Sequence, residues 1–573
     1  MLLSNLDILA TAPGGVARLR ELILTLAVQG KLVPQDPADE PASVLLQKIR
    51  AEKDRLMAEG KIRRDKPLAA IADEEKPFAL PVGWEWVRLG EITNYGTTTK
   101  VEKLQPDTWV LDMEDIEKSS GRLLQRLRFA QRPALSDKNC FLAGDVLYGK
   151  LRPYLNKVFV ADEDGVCTTE IIPFRCFGDY VPQYFRLVLS SPFFLEYVNA
   201  RSYGMKMPRL GTEDARKSVF PLPPLAEQSR IVTRVEELMR LCDALEVKGQ
   251  LQAAQHAQLV STLLGTLTAS TTPEELADHW QRVAQHFDLL AGRPEAIDAL
   301  EQTLLQLAVR GLLVPQDPAD EPASTLLARI RTEKDRLIAE GKIKRDKPLP
   351  PIADEEKPFE LPVGWEWVRM GWLGESFDYG SSQKSVDDSA AVPILRMGNI
   401  QGGRVVMNNL KYLKDVQGEL PYLVLREGDL LFNRTNSYEL VGKTGLFEGC
   451  LREVTFASYL IRIRLMHALV NPEYINAYMN TRDCRENEIE PDLTQQTGQA
   501  NYNGTKLKSI RVPLPPLPEQ SRIVTRVTAL RRLCADLRQR LAEREAVQAR
   551  LAEALVANNA QTSTQQEDEC HAA

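Results

Sequence analysis

Two short strings in the chain have residue types that could support catalysis, and neither completes its pattern. VGKTG at 441–445 resembles the end of a phosphate-binding loop, but that loop needs a glycine where the chain has Ser437. NPEY at 471–474 resembles the Asn-Pro-Pro-Tyr motif of amino-methyltransferases, but Glu473 replaces the second proline. The HExxH, nucleophile-elbow and PD…ExK patterns are not found in the sequence. We therefore expect no catalytic centre and no metal site in this chain.

Two polar segments in the C-terminal half have side chains suited to reading DNA. They are FNRTNSYELVGKTG (432–445) and TQQTGQANYNGTKLK (494–508). Arginine binds guanine through two hydrogen bonds in the major groove, and asparagine or glutamine binds adenine in the same way. Lysine, serine and threonine hold the phosphates. The candidate DNA-binding residues here are Asn433, Arg434, Asn436, Lys443, Gln499, Asn501 and Lys506.

The N-terminal half has a corresponding pair of segments, YGKLRPYLNK (148–157) and SYGMKMPRLG (202–211). Aligning Gly144 with Gly428 places Lys150 on Arg434, so a basic side chain recurs after the same predicted strand. A surface loop without a ligand would explain any one such segment. Recurrence at matched places favours a function instead. The candidates in this half are Lys150, Arg152, Lys157, Lys206 and Arg209.

These segments belong to a chain that repeats itself. Residues 31–88 and 312–369 share about 48 identities in 58 aligned positions, at an offset of 281 (312 − 31). PLPPLAEQSRIVTRV at 221 recurs as PLPPLPEQSRIVTRV at 513, at an offset of 292 (513 − 221). The segments between these blocks differ strongly from each other. Neutral drift after duplication would not spare the scaffold alone, so we predict two related modules that act on different targets.

A long helix is predicted after each proline-rich block, because apolar residues recur there at alternating spacings of four and three. The first helix should end at about Ala269 and the second at about Val556, giving rods of roughly 60–65 Å at 1.5 Å per residue. Residues 16–32 and 296–313 are predicted to be amphipathic helices that end at Gly30 and Gly311. The seam residues of the long helices are Ile231, Val235, Leu238, Cys242, Leu245, Ile523, Val527, Leu530, Cys534, Leu537 and Leu541.

The divergent inserts are predicted to be rich in β-structure, with short strands bounded by Gly and Asp. The runs are GDVLYG (144–149), NKVFVA (156–161), GDLLFN (428–433) and YLIRIRL (459–465).

The composition is that of a soluble globular protein. The chain has 573 residues, 43% of them hydrophobic, and a net charge of −7, so DNA binding would have to rest on local surfaces. Eight cysteines without a CxxC pair argue against zinc and disulfides and suit the reducing cytoplasm. No apolar run is long enough to span a bilayer, and the N-terminus does not have the pattern of a secretory signal. We therefore expect a cytoplasmic protein without membrane contact.

Taken together, these strings resemble the DNA specificity subunits of type I restriction-modification systems. The resemblance covers nearly the whole chain and is carried by LPVGWEWVRLGEI, GDVLYGKLRPYLNK, GDLLFNRTNSYELVGKTG, LAVQGKLVPQDPADEPASVLL and the two PLPP blocks. It implies an α+β fold with two α/β target recognition domains, separated by two long helices that form an antiparallel coiled-coil spacer, and an internal pseudo-twofold repeat. The implied regions are an N-terminal helical scaffold (1–80), recognition domain one (81–222), a central region with the first spacer helix (223–361), recognition domain two (362–514) and a C-terminal helix with a polar tail (515–573).

The resemblance also implies a division of labour. Each recognition domain would read one half of a bipartite, asymmetric site in double-stranded DNA. The conserved helices would set the spacing and dock two modification (methyltransferase) subunits, which restriction (translocase/nuclease) subunits then join. The chain itself would bind no cofactor, while the complex would use S-adenosylmethionine, and ATP and Mg2+ for restriction.

Within the implied spacer, we expect residues 231–245 and 523–541 to pack against each other as antiparallel partners, with Cys242 and Cys534 inside. Two other functions remain open at this point. One is a DNA-recognition subunit of another restriction-methylation or orphan methylation system. The other is a protein-interaction scaffold, which the helical seams alone would suit but the divergent inserts would not.

Overall fold

The architecture is taken from a computed structural model, which describes residues 9, 11–64, 66–100, 104–132, 138–204, 206–270, 272–414, 418–496 and 499–570. Most of the N-terminal segment for which we expect no secretory signal lies outside this range. The chain divides into two compact units. The first comprises Met1–Gln252 and Arg544–Ala573, and the second comprises Ala253–Glu543. Each unit therefore contains one insert and parts of both long helices.

The scaffold of each unit begins with two helices that the duplicated sequence predicts. They are Gly15–Val28 and Ala42–Ala58 in the first unit, and Pro294–Val309 and Ala323–Ala339 in the second. Gly30 and Gly311 follow the first helix of each pair with φ of 69° and 73°. Such left-handed residues commonly end a helix, and glycine adopts them without steric cost. The predicted helix ends are therefore confirmed. The second unit also contains the helices Pro273–Gln285 and Phe287–Leu290.

In its described residues, the first insert forms a module of short strands and four helices. Its four-stranded sheet has the order Leu127–Arg128, Trp109–Leu111, Gly165–Thr168, Lys138–Phe141. Its three-stranded sheet has the order Val158–Val160, Val146–Gly149, Ile171–Phe174. The helices are Leu89–Ile92, Pro182–Ser190, Pro192–Arg201 and Thr212–Lys217, and 3-10 turns lie at Met113–Asp115 and Pro153–Leu155. Another 3-10 turn, Asp73–Glu75, precedes the module.

The second insert forms a larger module around a six-stranded sheet. The order is Gly374–Tyr379, Leu460–Leu465, Leu430–Asn433, Thr444–Leu446, Arg404–Val405, Ile400–Gln401. Two three-stranded sheets have the orders Lys411–Leu413, Val392–Leu395, Thr455–Phe456, and Thr435–Asn436, Gln499–Asn501, Thr494–Gln496. The helical elements are Met370–Leu373, Leu420–Leu423, Pro472–Met479, Arg482–Cys484, Arg485–Ile489 and Gly504–Ser509, with 3-10 turns at Met397–Asn399 and Glu490–Asp492. Another 3-10 turn, Asp354–Glu356, precedes the module. All four predicted strand runs are confirmed.

Each module is closed by pairing its first strand with its last. Glu85–Arg88 pairs antiparallel with Val219–Leu222, so that Trp86 lies opposite Pro221. The second module repeats this register, with Trp367 opposite Pro513. Because the last strand leads directly into the long helix, the pairing brings the start of the module, its end and the start of the helix together.

The long helices span Leu225–Ala269 and Leu517–Cys570. The first ends where the sequence predicts. The second continues past the predicted end at Val556, because residues 557–570 contain neither glycine nor proline to interrupt it. Among the described residues, no helix is both long enough and apolar enough to cross a membrane.

The seam residues are buried or partly buried, but the elements that cover them within each unit are not the ones that the sequence predicts. In the first unit Ile231, Val235 and Cys242 share a core with the helix Gly15–Val28 and with Ala552 of the second long helix. In the second unit Cys534 and Leu541 share a core with the helix Pro294–Val309 and with Val260, Leu264 and Leu267 of the first long helix. Ile523 and Val527 lie in the main core of that unit, and Leu238, Leu245, Leu530 and Leu537 are partly buried.

The expected pairing of residues 231–245 with residues 523–541 is therefore corrected. Each seam packs on its own scaffold helix and on the far end of the other long helix. A heptad pattern shows which face of a helix is apolar, but it does not show which element covers that face. In each unit an amphipathic scaffold helix covers the seam.

Candidate nucleic-acid interface

The two polar segments of the first module lie side by side. Leu151 and Arg209 form an antiparallel bridge, and Arg209 also pairs with Tyr203. The backbone N–H of Leu210 donates to the carbonyl of Lys150 at 3.1 Å, and that of Arg152 donates to the carbonyl of Pro208 at 2.7 Å. We call residues 150–152, 203–204 and 206–210 the first polar strip.

The second module brings its polar segments together in the same way. Thr435–Asn436 pairs with Gln499–Asn501, which pairs with Thr494–Gln496. The backbone N–H of Tyr502 donates to the carbonyl of Arg434 at 2.8 Å, as that of Leu210 does to Lys150. We call residues 434–436, 494–496 and 499–502 the second polar strip. The shared hydrogen bond confirms that Lys150 and Arg434 occupy equivalent positions.

Backbone geometry constrains the first strip most strongly at Arg152. This residue has a φ of 48°, in the left-handed region, and it precedes Pro153. Non-glycine residues rarely adopt this conformation, and they occur in it most often where the surrounding structure holds a functional side chain. The Nε atom of Arg152 is buried without a hydrogen-bond partner in the protein, while the residue as a whole is half-buried. Lys150 is half-buried as well, and Lys206 is exposed.

Two of the predicted basic residues in the first module have internal partners. The guanidinium of Arg209 donates two hydrogen bonds of 3.1 Å to Glu170, and this contact raises the pKa of Arg209. The Nζ of Lys157 donates to the carbonyl of Met113 at 2.6 Å, and burial lowers the pKa of Lys157. Lys157 therefore holds the loop onto the module, and Glu170 neutralises Arg209.

In the second strip Arg434 lies 4.9 Å above the ring of Tyr379 and donates to the carbonyl of Ser458 at 3.2 Å. The cation–π contact sets the direction of its guanidinium. Asn436 is half-buried and accepts a hydrogen bond from the backbone N–H of Ser437. Gln499 and, beside the strip, Lys443 are exposed. These side chains can meet a ligand.

The remaining candidates in the second module serve the structure. Asn433 is buried and donates to the carbonyl of Leu440. Asn501 accepts a hydrogen bond of 2.7 Å from the hydroxyl of Thr435, which joins two strands of the strip. Lys506 donates to the carbonyl of Asp492 at 2.6 Å. Their polarity in the sequence reflects these internal bonds, which only the fold reveals.

The first strip and the turn beside it also carry exposed tyrosines that were not among the residues predicted from the sequence. Tyr203 belongs to the first strip and Tyr154 follows Arg152 in the adjoining turn, and both side chains are exposed. Aromatic rings beside basic residues can pack on bases. Their position within YGKLRPYLNK and SYGMKMPRLG was a usable signal, because exposed tyrosines next to arginine and lysine suit nucleic acid.

Comparison with known proteins establishes the family. A family model described as the type I restriction modification DNA specificity domain matches residues 362–544. The chain is 37% identical to the EcoAI specificity subunit of a type I restriction enzyme from Escherichia coli, over 94% of this chain and 93% of that protein. It is 38% identical to the EcoEI specificity subunit from Escherichia coli, with the same two coverages.

The chain belongs to the specificity subunits of type I restriction enzymes. Its fold is also similar to a solved chain from a type I restriction-modification system, with a TM-score of 0.51 at 21% identity, over 84% of this chain and 99% of that one. The resemblance drawn from the sequence is thus confirmed, as is an α+β fold with long helices.

The two strings that suggested catalysis have structural roles in this specificity subunit. In VGKTG, the backbone N–H of Gly442 donates to Asn433 and that of Thr444 donates to Asn480, so these amides are not available to a phosphate. In NPEY, the side chain of Asn471 accepts hydrogen bonds from the first turn of the helix Pro472–Met479. Among the described residues, no cluster of His, Cys, Asp and Glu could hold a metal ion.

Proposed function

We propose that this subunit gives a DNA-modifying and DNA-cleaving complex its sequence specificity, with each module reading one half of a bipartite, asymmetric site. The equivalence of the two polar strips carries this proposal. They occupy the same place in each module but present different side chains, with Lys150 and Arg152 in the first where Arg434 and Asn436 stand in the second. Different hydrogen-bonding groups at equivalent positions select different bases.

The two long helices act as a spacer between the half-sites in this proposal. Support comes from the composition of the units, since the first contains the start of one long helix and the end of the other, and the second contains the reverse. That composition fits an antiparallel pair. A helix of 45 residues is about 67 Å long. At about 3.4 Å per base pair, such a rod can hold two modules one to two turns of DNA apart.

The duplicated helices also offer a surface for a partner that binds twice, which we take to be the modification subunits that restriction subunits then join. Leu241 and Leu533 are equivalent at the offset of 292 and are 60% and 59% exposed. Leu259 and Leu551 form a second equivalent pair, 40% and 44% exposed. Single exposed apolar side chains are common on protein surfaces, so the support for an interaction site comes from the recurrence of each exposed leucine at the matched position of the other helix.

The chemistry is assigned to those partners in this proposal. They would bind S-adenosylmethionine, flip the target adenine, and use ATP and Mg2+ for restriction, while this chain binds no cofactor. The structural roles of VGKTG and NPEY support a non-catalytic subunit. A cytoplasmic location fits the seven cysteines whose side chains the structure describes, none of which forms a disulfide.

The direct test is to map methylated adenines in host cells with and without the gene. We expect one bipartite, asymmetric motif to lose its methylation when the gene is deleted and to regain it on complementation. The purified chain, free of partners, should show no methyltransferase, ATPase or nuclease activity. An unchanged methylation map, or activity in a rigorously partner-free preparation, would contradict the proposal.

Lys157 and Lys206 provide a matched pair of variants that separates structure from DNA binding. Lys157→Met removes the bond to Met113 and should lower the free energy of unfolding by about 1–3 kcal/mol. Lys206→Ala should leave stability unchanged and weaken binding to all DNA sequences alike, lowering the slope of log affinity against log salt by about 1. Urea unfolding and fluorescence anisotropy at several salt concentrations measure the two effects. If Lys157→Met weakened DNA binding and left stability unchanged, Lys157 would contact DNA instead.

A further inference from the structure

A buried carboxylate stands at the start of each long helix. Glu227 and Glu519 are the third residues of their helices, belong to the repeated Glu-Gln pairs, and are each 1% exposed. Charged side chains are rarely buried unless they are paired or hydrogen-bonded. Burial raises the pKa of both carboxyls, so their environment must supply specific donors to hold them.

The donors come from two other elements and are the same in both copies. The indole N–H of Trp84, at the start of the first module, donates to Glu227 Oε2 at 2.9 Å. The amide of Gln35 donates to Glu227 Oε1 at 3.2 Å. In the second unit, Trp365 donates to Glu519 at 3.0 Å and Gln316 donates at 3.2 Å. One carboxylate therefore ties the helix to the module and to the scaffold.

The scaffold side of this contact is tightly packed. Gln35 also donates to the carbonyl of Gly30, and Gln316 to that of Gly311, both at 2.6 Å. A Cβ atom at Gly30 would lie 2.4 Å from Cγ of Pro81, three residues before Trp84. The end of the scaffold helix is thus pressed against the segment that carries the tryptophan.

The glutamine that follows each glutamate binds the module at a second point. Gln228 is buried, accepts a hydrogen bond of 3.1 Å from the backbone N–H of Val181, and donates to the carbonyl of Pro223. Gln520 accepts from the backbone N–H of Asn471 at 2.9 Å in the same way. Both acceptors face backbone groups at the start of a module helix. The contact therefore does not depend on which side chains the module carries, and it is present in both modules although their sequences differ.

Two attachment points on one turn of a rigid helix determine a direction as well as a position. We propose that the Glu-Gln pairs, Glu227-Gln228 and Glu519-Gln520, set the angle at which each recognition module leaves its long helix, and thereby select the spacing between the two half-sites. They are positioning residues, since they act on DNA only through the module. The inference rests on the proposed function, in which helix length sets the gap, and adds the angle as a second determinant.

The test uses the complex with its modification subunits and the variant Glu227→Gln. The amide places an NH2 group against one of the two donors, so one buried hydrogen bond is lost and its donor is left unpaired. Duplexes carry both half-sites of the methylated motif with the native gap, or with a gap one base pair longer or shorter. Affinities for the three duplexes give the gap preference, and duplexes with one mismatched base pair give the base preference.

We expect Glu227→Gln to reduce the preference for the native gap by about tenfold, the equivalent of one such buried bond, while base preference within each half-site stays unchanged. Glu519→Gln should behave alike. Ile231→Val, in the same helix, controls for stability because it shortens a side chain of the shared core at a comparable cost and leaves both hydrogen bonds of Glu227 in place. If Glu227→Gln does not assemble, Trp84→Phe removes the indole hydrogen bond to Glu227 from the module side and carries the test.

Full retention of the gap preference in these variants would overturn the inference, as would an equal loss in Ile231→Val. A wild-type complex without any gap preference would instead overturn the proposed function. The two failures are thereby distinguishable.

Discussion

Exchange of residues 93–220 for the corresponding segment of a related specificity subunit is expected to change one half of the methylated motif completely. The segment lies within the module closed by Glu85–Arg88 and Val219–Leu222, whose pairing runs through backbone groups. The contacts of Gln228 with the module also run through a backbone N–H, so a foreign segment can be held in the same orientation. Each wrong base pair costs about 1–3 kcal/mol, roughly additively, so the original half-site should no longer be recognised.

Methylome sequencing of cells that express the exchanged subunit measures the result. The half-site read by the second module should be unchanged, because its polar strip is built entirely from residues 434–502. The reciprocal exchange of residues 374–512 is the matched control and should change only the other half. A change in both halves after a single exchange would contradict the modular division of the site.

Insertion of four residues after Ala253 is expected to lengthen the unread gap while leaving both half-site sequences intact. Four residues add about 6 Å to a helix, which is nearly two base pairs. A second insertion after Glu545, the equivalent position at the offset of 292, lengthens both long helices by the same amount. Stability should fall, because four residues do not preserve the phase of the apolar seam.

A seven-residue insertion at the same positions is the control, since it keeps the phase of the seam and should extend the gap further at a smaller loss of stability. Methylation motifs give the gap, and thermal unfolding gives the stability. An active four-residue variant with an unchanged gap would show that the helices hold the complex together without measuring the DNA.

Much of this architecture follows from the sequence alone, because it depends on patterns that repeat within the chain. Offsets of 281 and 292 define the duplicated scaffold and the two inserts, and apolar spacing of four and three defines the long helices from Leu225 and Leu517. The equivalence of the polar segments in the two modules was also predicted, since Lys150 and Arg434 align through Gly144 and Gly428, but their pairing within each module was not. Local patterns of this kind report secondary structure and the apolar face of each element.

Only the tertiary structure decided which polar side chains are available and what covers each apolar face. Lys157 and Lys206 look alike in the sequence, yet one binds the carbonyl of Met113 and the other is exposed. Glu227 looks like an ordinary acidic residue in a first helical turn, yet it is buried between Trp84 and Gln35. These partners are distant in the chain, and a side chain forms internal bonds according to which groups the fold brings within about 3 Å, which no local spacing encodes.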